Sequence, residues 1–260
     1  MECEKVIDIL QKQAAETYAL EWDNVGLLVG SRDKEVKKIY IALDATDEAI
    51  KEAIEQGADM LLTHHPLIFR GIKRVTQDDF IGRRVMELVR ADISYYAMHT
   101  NFDVMGMAEI SAEKMGLADA VPLEETCVEA GASQGIGRVG SFAKQMTLGE
   151  CAACVKSAFG VERVKVFGDF EKKVKRAAIC PGSGGSDVKY ALLAGADVYI
   201  TGDIDHHTGI DAVAQGMAVI DAGHYGVEQI FIEFMADYIR RHIPGVEAVA
   251  QGRVEPFYYV

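Results

Sequence analysis

Residues 37–65 read KKIYIALDATDEAIKEAIEQGADMLLTHH, and the order of textures along them decides the fold. KKIYIALDA (37–45) reads as a buried strand, TDEAIKEAIEQG (46–57) as an amphipathic helix closed by Gly57, and ADMLLTHH (58–65) as the next strand. RRVMELVRA (83–91) continues with a second helix and ISYYAMHT (93–100) with a further strand. A β-α-β-α-β order predicts a largely parallel sheet with helices on its faces. In such sheets functional side chains belong at the carboxyl ends of the strands. His64 and His65 stand at one such end, His99 and Asp103 at the next.

The chain repeats this unit. Residues 41–63 align without a gap to residues 179–201, an offset of 138. Ile41, Lys51, Ala53, Gly57, Ala58, Asp59 and Thr63 are identical to Ile179, Lys189, Ala191, Gly195, Ala196, Asp197 and Thr201. GMAVIDAGHYGVE (216–228) then answers to ISYYAMHTNFD. The expectation is a duplicated β-α-β unit in two related three-layer-type α/β lobes with mainly parallel sheets. Residues 1–125, joined by 225–260, would form one lobe and residues 126–224 the other, with equivalent strand ends facing a cleft. Between the copies, the glycines of GASQGIGRVGSF suggest a bent strand or hairpin at 134–143. GVEQIFIEFMADYIRRHIP reads as a long helix and the tail RVEPFYYV as a final strand.

The 260 residues suffice for one large domain or two compact lobes. With 40 acidic and 27 basic residues, the net charge of −13 argues against a generic nucleic-acid or anionic-membrane surface. No apolar run reaches the roughly 18 residues of a membrane span, and MECEKVIDIL starts like a helix rather than a leader; a cytoplasmic protein is expected. Five scattered cysteines make no disulfide framework. Cys151 and Cys154 lie in the helical stretch LGECAACVKSAF, where two small apolar residues facing a core are expected.

Six of the seven histidines cluster at strand ends: His64–His65, His99 near Asp103, His206–His207, and His224 near Glu228. His242 looks like a surface residue. The four-residue step from His224 to Glu228 puts both on one face of a helix, a recurrent way to offer two ligands to one metal. Imidazole with carboxylate suits zinc, manganese, iron or nickel better than calcium or magnesium alone. Adjacent side chains on extended backbone diverge, so His64 and His65, where the chain turns into Pro66, can splay towards two ions; the alternative is an aromatic-like core pair satisfied by backbone carbonyls. Paired ions roughly 3.5–4 Å apart activate water.

WDNVGLLVG (22–30), LLTHHPLIF (61–69), MHTNFD (98–103), CPGSGGS (180–186), TGDIDHH (201–207) and DAGHYGVE (221–228) occur in this order. In that order they resemble the family of GTP cyclohydrolase 1 type 2 homologues, Nif-three-like proteins, over about residues 5–255. The resemblance implies a dinuclear metal centre ligated by His64, His65, Asp103, His224 and Glu228, with Glu228 as the bridge. It also implies a hexameric ring and, at this length, the short form without an inserted central domain. By resemblance the chemistry would be hydrolytic, on a nucleotide or phosphorylated small molecule. The alternative is a non-catalytic ring serving regulation or metal handling.

Three further stretches bear on chemistry. Gly182, Ser183, Gly184 and Gly185 sit in a glycine-rich strand-to-helix loop whose backbone N–H groups can cradle phosphate, or which merely turns tightly. Asp205, His206 and His207 could orient the metal ligands, supply a general acid, with His207 the candidate, or form a merely polar loop, and His99 is an orienting or catalytic neighbour of the metal. Trp22, the only tryptophan, opens a turn that either supports the cleft edge or touches substrate.

Overall fold

The computed structural model describes residues 1–258 and 260. The chain forms two compact units, Met1–Phe102 with Phe231–Val260, and Asp103–Ile230. The sequence reading placed the divisions at 125/126 and 224/225.

The first unit holds α1 (Cys3–Gln13), β1 (Gly26–Val29), β2 (Lys38–Ala42), α2 (Asp47–Glu55), β3 (Met60–Thr63), α3 (Phe80–Arg90), β4 (Ser94–Ala97) and α4 (Thr100–Phe102). Its five-stranded sheet runs β1-β4-β3-β2-β11, where β11 is Glu247–Ala250. Strands β4, β3, β2 and β11 are parallel, and only β1 runs against them. Both sheet faces are covered, as the unalternating apolar strands require. Tyr40, Ala42, Leu61, Tyr95 and Ala97 pack with Ala49, Ile50 and Ala53 of α2 and Val85 and Leu88 of α3. On the opposite face Ile39, Ile41, Met60, Leu62 and Tyr96 are also buried. Helix α2 starts where the Thr46 hydroxyl accepts from the Ala49 N–H, and it carries Asp47 and Glu48 in its first turn. Both features stabilise a helix N-terminus.

The second unit opens on a π-helical turn, Asp103–Met107, followed by α5 (Ala108–Met115), β5 (Ala118–Glu129), β6 (Ala132–Thr147) and α6 (Leu148–Phe159). Then come β7 (Lys165–Phe167), β8 (Lys173–Ser183), α7 (Val188–Leu193), β9 (Val198–Gly202), α8 (His206–Ala214), β10 (Ala218–Asp221) and α9 (His224–Glu228). Its six strands run β5-β6-β8-β9-β10-β7. Only β8, β9 and β10 are mutually parallel, so this sheet is mixed rather than mainly parallel. The antiparallel part comes from β7 at one edge and, at the other, from the long hairpin β5–β6, whose two-residue turn has Ala130 and Gly131 both at positive φ. That backbone matches the twist of the flanking strands. Of the bent strand or hairpin expected at 134–143, the strand is found: these residues belong to β6, with Gly137 at φ 64°, and the hairpin turn lies at 130–131.

The long C-terminal helix is broken into α9 and α10 (Ile230–His242). The last strand is β11, not the tail. Residues 253–258 and 260 are in no strand, and Tyr259 of the expected strand lies outside the described residues. The ladder stops where the Gln251 N–H bonds the Ile41 carbonyl, beyond which Arg253 and Glu255 pair at the surface. Cys151 faces the core as expected, but Cys154 is exposed. No helix among the described residues is long and apolar enough to cross a membrane.

Candidate metal centre

In the first unit, β3 ends at Thr63 and the chain turns sharply. The Tyr95 hydroxyl fixes that turn: it donates to the His65 carbonyl, accepts from the Leu67 N–H and bonds the Thr63 hydroxyl. Burial pushes the Tyr95 phenol pKa up, so it stays a neutral donor. The buried phenol thereby sets where His64 and His65 emerge.

The rings of His64, His65 and His99 lie 4.9, 5.2 and 5.5 Å apart by centroid. One ligand atom from each falls within 4.8 Å of the others, close enough to offer nitrogen to a metal ion. Each ring is turned by an oxygen on Nδ1. His64 Nδ1 is 2.8 Å from the Met98 carbonyl, His65 Nδ1 2.8 Å from Asp44 Oδ1, and His99 Nδ1 2.8 Å from Asp23 Oδ1. Carbonyl and carboxylate oxygens only accept, which assigns the proton to Nδ1. In the neutral ring the lone pair is then on Nε2, the arrangement of a metal-binding histidine with an oriented outer partner.

The side chain of Asp23 is buried where that of Asp44 is half exposed. Burial alone would raise its pKa, but the His99 ring and the Thr100 hydroxyl and amide outweigh that and hold it at about 2.

In the second unit the same logic recurs. His224 is the first residue of α9 and Glu228 its last, so both point from one short turn. His224 Nδ1 meets Asp203 Oδ2 at 2.9 Å, and its Nε2 lies 2.9 Å from Glu228 Oε2. Two ligands about 2.1 Å from an ion at right angles sit about 3 Å apart, so this pair fits one ion. Asp203 adopts positive φ (55°), a conformation that aspartate tolerates better than most residues. Asp103 begins the π-helical turn and is half-buried; such turns recur at functional sites. The first unit offers three imidazoles and the second imidazole with carboxylate, donors that fit borderline divalent ions.

The glycine loop is built around Glu228. Gly182 has φ +80°, and a Cβ there would run into Glu228 Oε1. A Cβ on Gly184 would meet the Tyr199 and Thr201 hydroxyls, whereas Gly185 faces open space. Close approach thus accounts for Gly182 and Gly184, and Ser183 ends β8. His207 stands exposed in the first turn of α8, its ring 5.3 Å from that of His206. Its N–H, with that of Thr208, is capped by Asp205. Trp22 is exposed rather than packed in a core. His242 is exposed and stacks on Tyr238.

Sequence reasoning missed the anchoring role of Asp44 and Asp23, and it placed His99 four residues before Asp103 without its two histidine neighbours. Only the DN of WDN gave a local signal, and that read as a turn.

A model of the Duf34/NIF3 (NGG1p interacting factor 3) family matches residues 1–254. A Clostridium perfringens protein named GTP cyclohydrolase 1 type 2 homolog is 35% identical over 264 residues, covering 100% of both chains. A Staphylococcus aureus hypothetical protein of known crystal structure superposes with a TM-score of 0.88 at 30% identity, covering 100% of this chain and 99% of that one. Reduced HcgD from Methanocaldococcus jannaschii superposes with a TM-score of 0.81 at 32% identity, covering 96% and 97%.

Proposed function

The chain belongs to the Duf34/NIF3 family, and from that premise we propose that it is a metal-dependent hydrolase acting on a nucleotide or another phosphate-bearing small molecule. It would hold two divalent ions, zinc, manganese or iron, through His64, His65, Asp103, His224 and Glu228, with Glu228 as the bridge. One observation carries the reading. His64, His65, His99 and His224 all turn Nδ1 to an oxygen acceptor at 2.8–2.9 Å. Each ring is thereby left with its lone pair on Nε2, the tautomer that a ligating histidine uses, and three of these four rings lie together at neighbouring strand ends.

Bound divalent ions supply Lewis acidity and lower the pKa of water. The chain's own groups complete the proposal. His99, anchored by Asp23, would accept a proton beside the ligand histidines. His207 is an exposed candidate acid, and backbone N–H groups along Gly182–Gly185 would meet phosphate. The name of the Clostridium perfringens relative supports a nucleotide as the substrate class. The protein would act in the cytoplasm as a homohexameric ring.

A second reading, a non-catalytic metal-holding scaffold, is favoured by the near-complete burial of His64 and Glu228. Metal content per chain, followed by turnover of nucleotides and phosphoesters with manganese, iron or zinc supplied, separates the two. Glu228→Ala should lose at least one ion per chain; unchanged stoichiometry would overturn the ligand set. A metal-loaded wild type that turns over nothing would put the scaffold in place of the hydrolase.

A further inference from the structure

Trp22 is the chain's only tryptophan, yet 57% of it is exposed. Phe69, next to it, is 44% exposed. These two rings and the imidazole of His99 form a triangle, with centroids 5.7 Å (Trp22–Phe69), 6.0 Å (Trp22–His99) and 6.2 Å (Phe69–His99) apart. Neighbouring rings are tilted by 52°, 73° and 66°, so they stand around a point rather than collapsing into a stack.

The triangle is held from below. Asp23, its side chain fully buried, binds His99 Nδ1 together with the hydroxyl and amide of Thr100. Asn24 Nδ2 donates to the Ile68 carbonyl, which ties the turn carrying Trp22 to the segment carrying Phe69. Exposed apolar rings fixed in advance contribute little to the core, but they lower the ordering cost of a ligand that covers them.

We propose that Trp22, Phe69 and His99 form a stacking subsite for a planar nitrogen heterocycle, the nucleobase part of the ligand. Two apolar faces offer stacking, and the third wall offers an imidazole edge whose in-plane Nε2 can pair with a ring N–H. A protein partner would find that polar wall, in contact with His64 and His65, a poor surface to bury. The inference deepens the nucleotide reading above and rests on it for the ligand class.

Trp22 fluorescence reports the subsite without a label. Guanosine, GTP and inorganic triphosphate are titrated into the metal-loaded protein and into protein stripped by chelator. Guanosine and GTP should quench Trp22 and triphosphate should not. By calorimetry, Trp22→Ala and Phe69→Ala should each weaken GTP binding about 10- to 100-fold, the usual range for one lost base–aromatic stack. Trp22→Phe should stay within about threefold, and all three variants should keep wild-type metal content and melting temperature. Wild-type affinity in Trp22→Ala, or equal binding of GTP and triphosphate, would overturn the subsite. A changed sedimentation coefficient in Trp22→Ala would assign the surface to a second copy of the chain and equally overturn it. A wild type that binds no metal but is quenched by guanosine would remove the metal reading and leave the subsite standing.

Discussion

Asp23 shows how one buried carboxylate can carry both stability and site geometry. Its side chain is fully buried, and it accepts from the His99 ring, the Thr100 hydroxyl and the Thr100 amide. Those bonds outweigh the effect of burial and hold its pKa at about 2, against an ordinary 3.8. A carboxylate depressed in the folded state contributes stability that is present above the unfolded value and lost as pH falls through the folded one. The contribution, about 2 kcal/mol from the size of the shift, should therefore disappear between about pH 4 and pH 2. Urea unfolding at pH 5 and pH 2.5 should show a larger acid loss in wild type than in Asp23→Asn. Equal losses in both would mean that the Asp23–His99 contact is not a stabilising one. The His65–Asp44 pair does not support the same argument, because Asp44 is half exposed and solvent screens it.

At the scale of elements, the decisive position is where a strand stops. Thr63 ends β3 and Thr201 is the last residue but one of β9, and the Met98 N–H bonds the Thr63 carbonyl as the Ala222 N–H bonds that of Thr201. After Thr63 come His64 and His65; at the matching positions stand Gly202 and Asp203. The structure gives the reason. A Cβ on Gly202 would lie 2.5 Å from the His224 N and 2.7 Å from the Gly223 C, both backbone atoms that cannot step aside. The second copy thus carries no side chain at this position, which lets the 223–224 backbone approach, and its Asp203 bonds the His224 ring. Gly202→Ala should cost about 1–3 kcal/mol, the range for overpacking a closed site, and should lower metal content together with the urea midpoint. A variant with wild-type stability would show that the backbone at 223–224 can yield.

The parallel strands were legible because burial on both faces leaves unbroken apolar runs separated by amphipathic helices. Strand β5 was not legible: it lies at the sheet edge with half of its residues exposed, and it carries Pro122, Glu124, Glu125 and Glu129. An edge strand tolerates proline and charge, so its composition reads as loop. The His224–Glu228 step was visible because helix geometry is local. The Nδ1 anchors were not, since Asp44 is 21 residues from His65 and Asp23 is 76 from His99. Only the tertiary fold brings such residues together.

For the whole chain, the 138-residue repeat extends from sequence into hydrogen bonding. In the first copy Ile39, Tyr40 and Ile41 face Met60, Leu61 and Leu62; in the second, Ala177, Ala178 and Ile179 face Val198, Tyr199 and Ile200. Every one of these pairs is shifted by 138, although only Ile41 and Ile179 are identical in type. The identical Asp59 and Asp197 explain what preserves the register. Asp59 Oδ2 accepts from the N–H groups of Lys37 and Lys38 at 2.7 and 3.0 Å, and Asp197 Oδ2 from those of Lys175 and Arg176 at 2.8 and 2.9 Å. Each carboxylate directly precedes one strand and caps its neighbour where the parallel pairing begins, so a slip by one residue would strand two backbone donors. Gly57 and Gly195, at φ 64° and 69°, turn the preceding helix into that position. If the clamp is what the duplication preserved, its removal should cost the same in either copy. Asp59→Ala and Asp197→Ala should each lower the unfolding free energy by about 1–3 kcal/mol, the range for leaving backbone donors without an acceptor. Hydrogen exchange should then speed up at the Lys37 and Lys38 amides in the first variant and at Lys175 and Arg176 in the second. A loss in one copy with none in the other would mean that the shared register rests on strand packing, and that the second aspartate is a relic of the duplication.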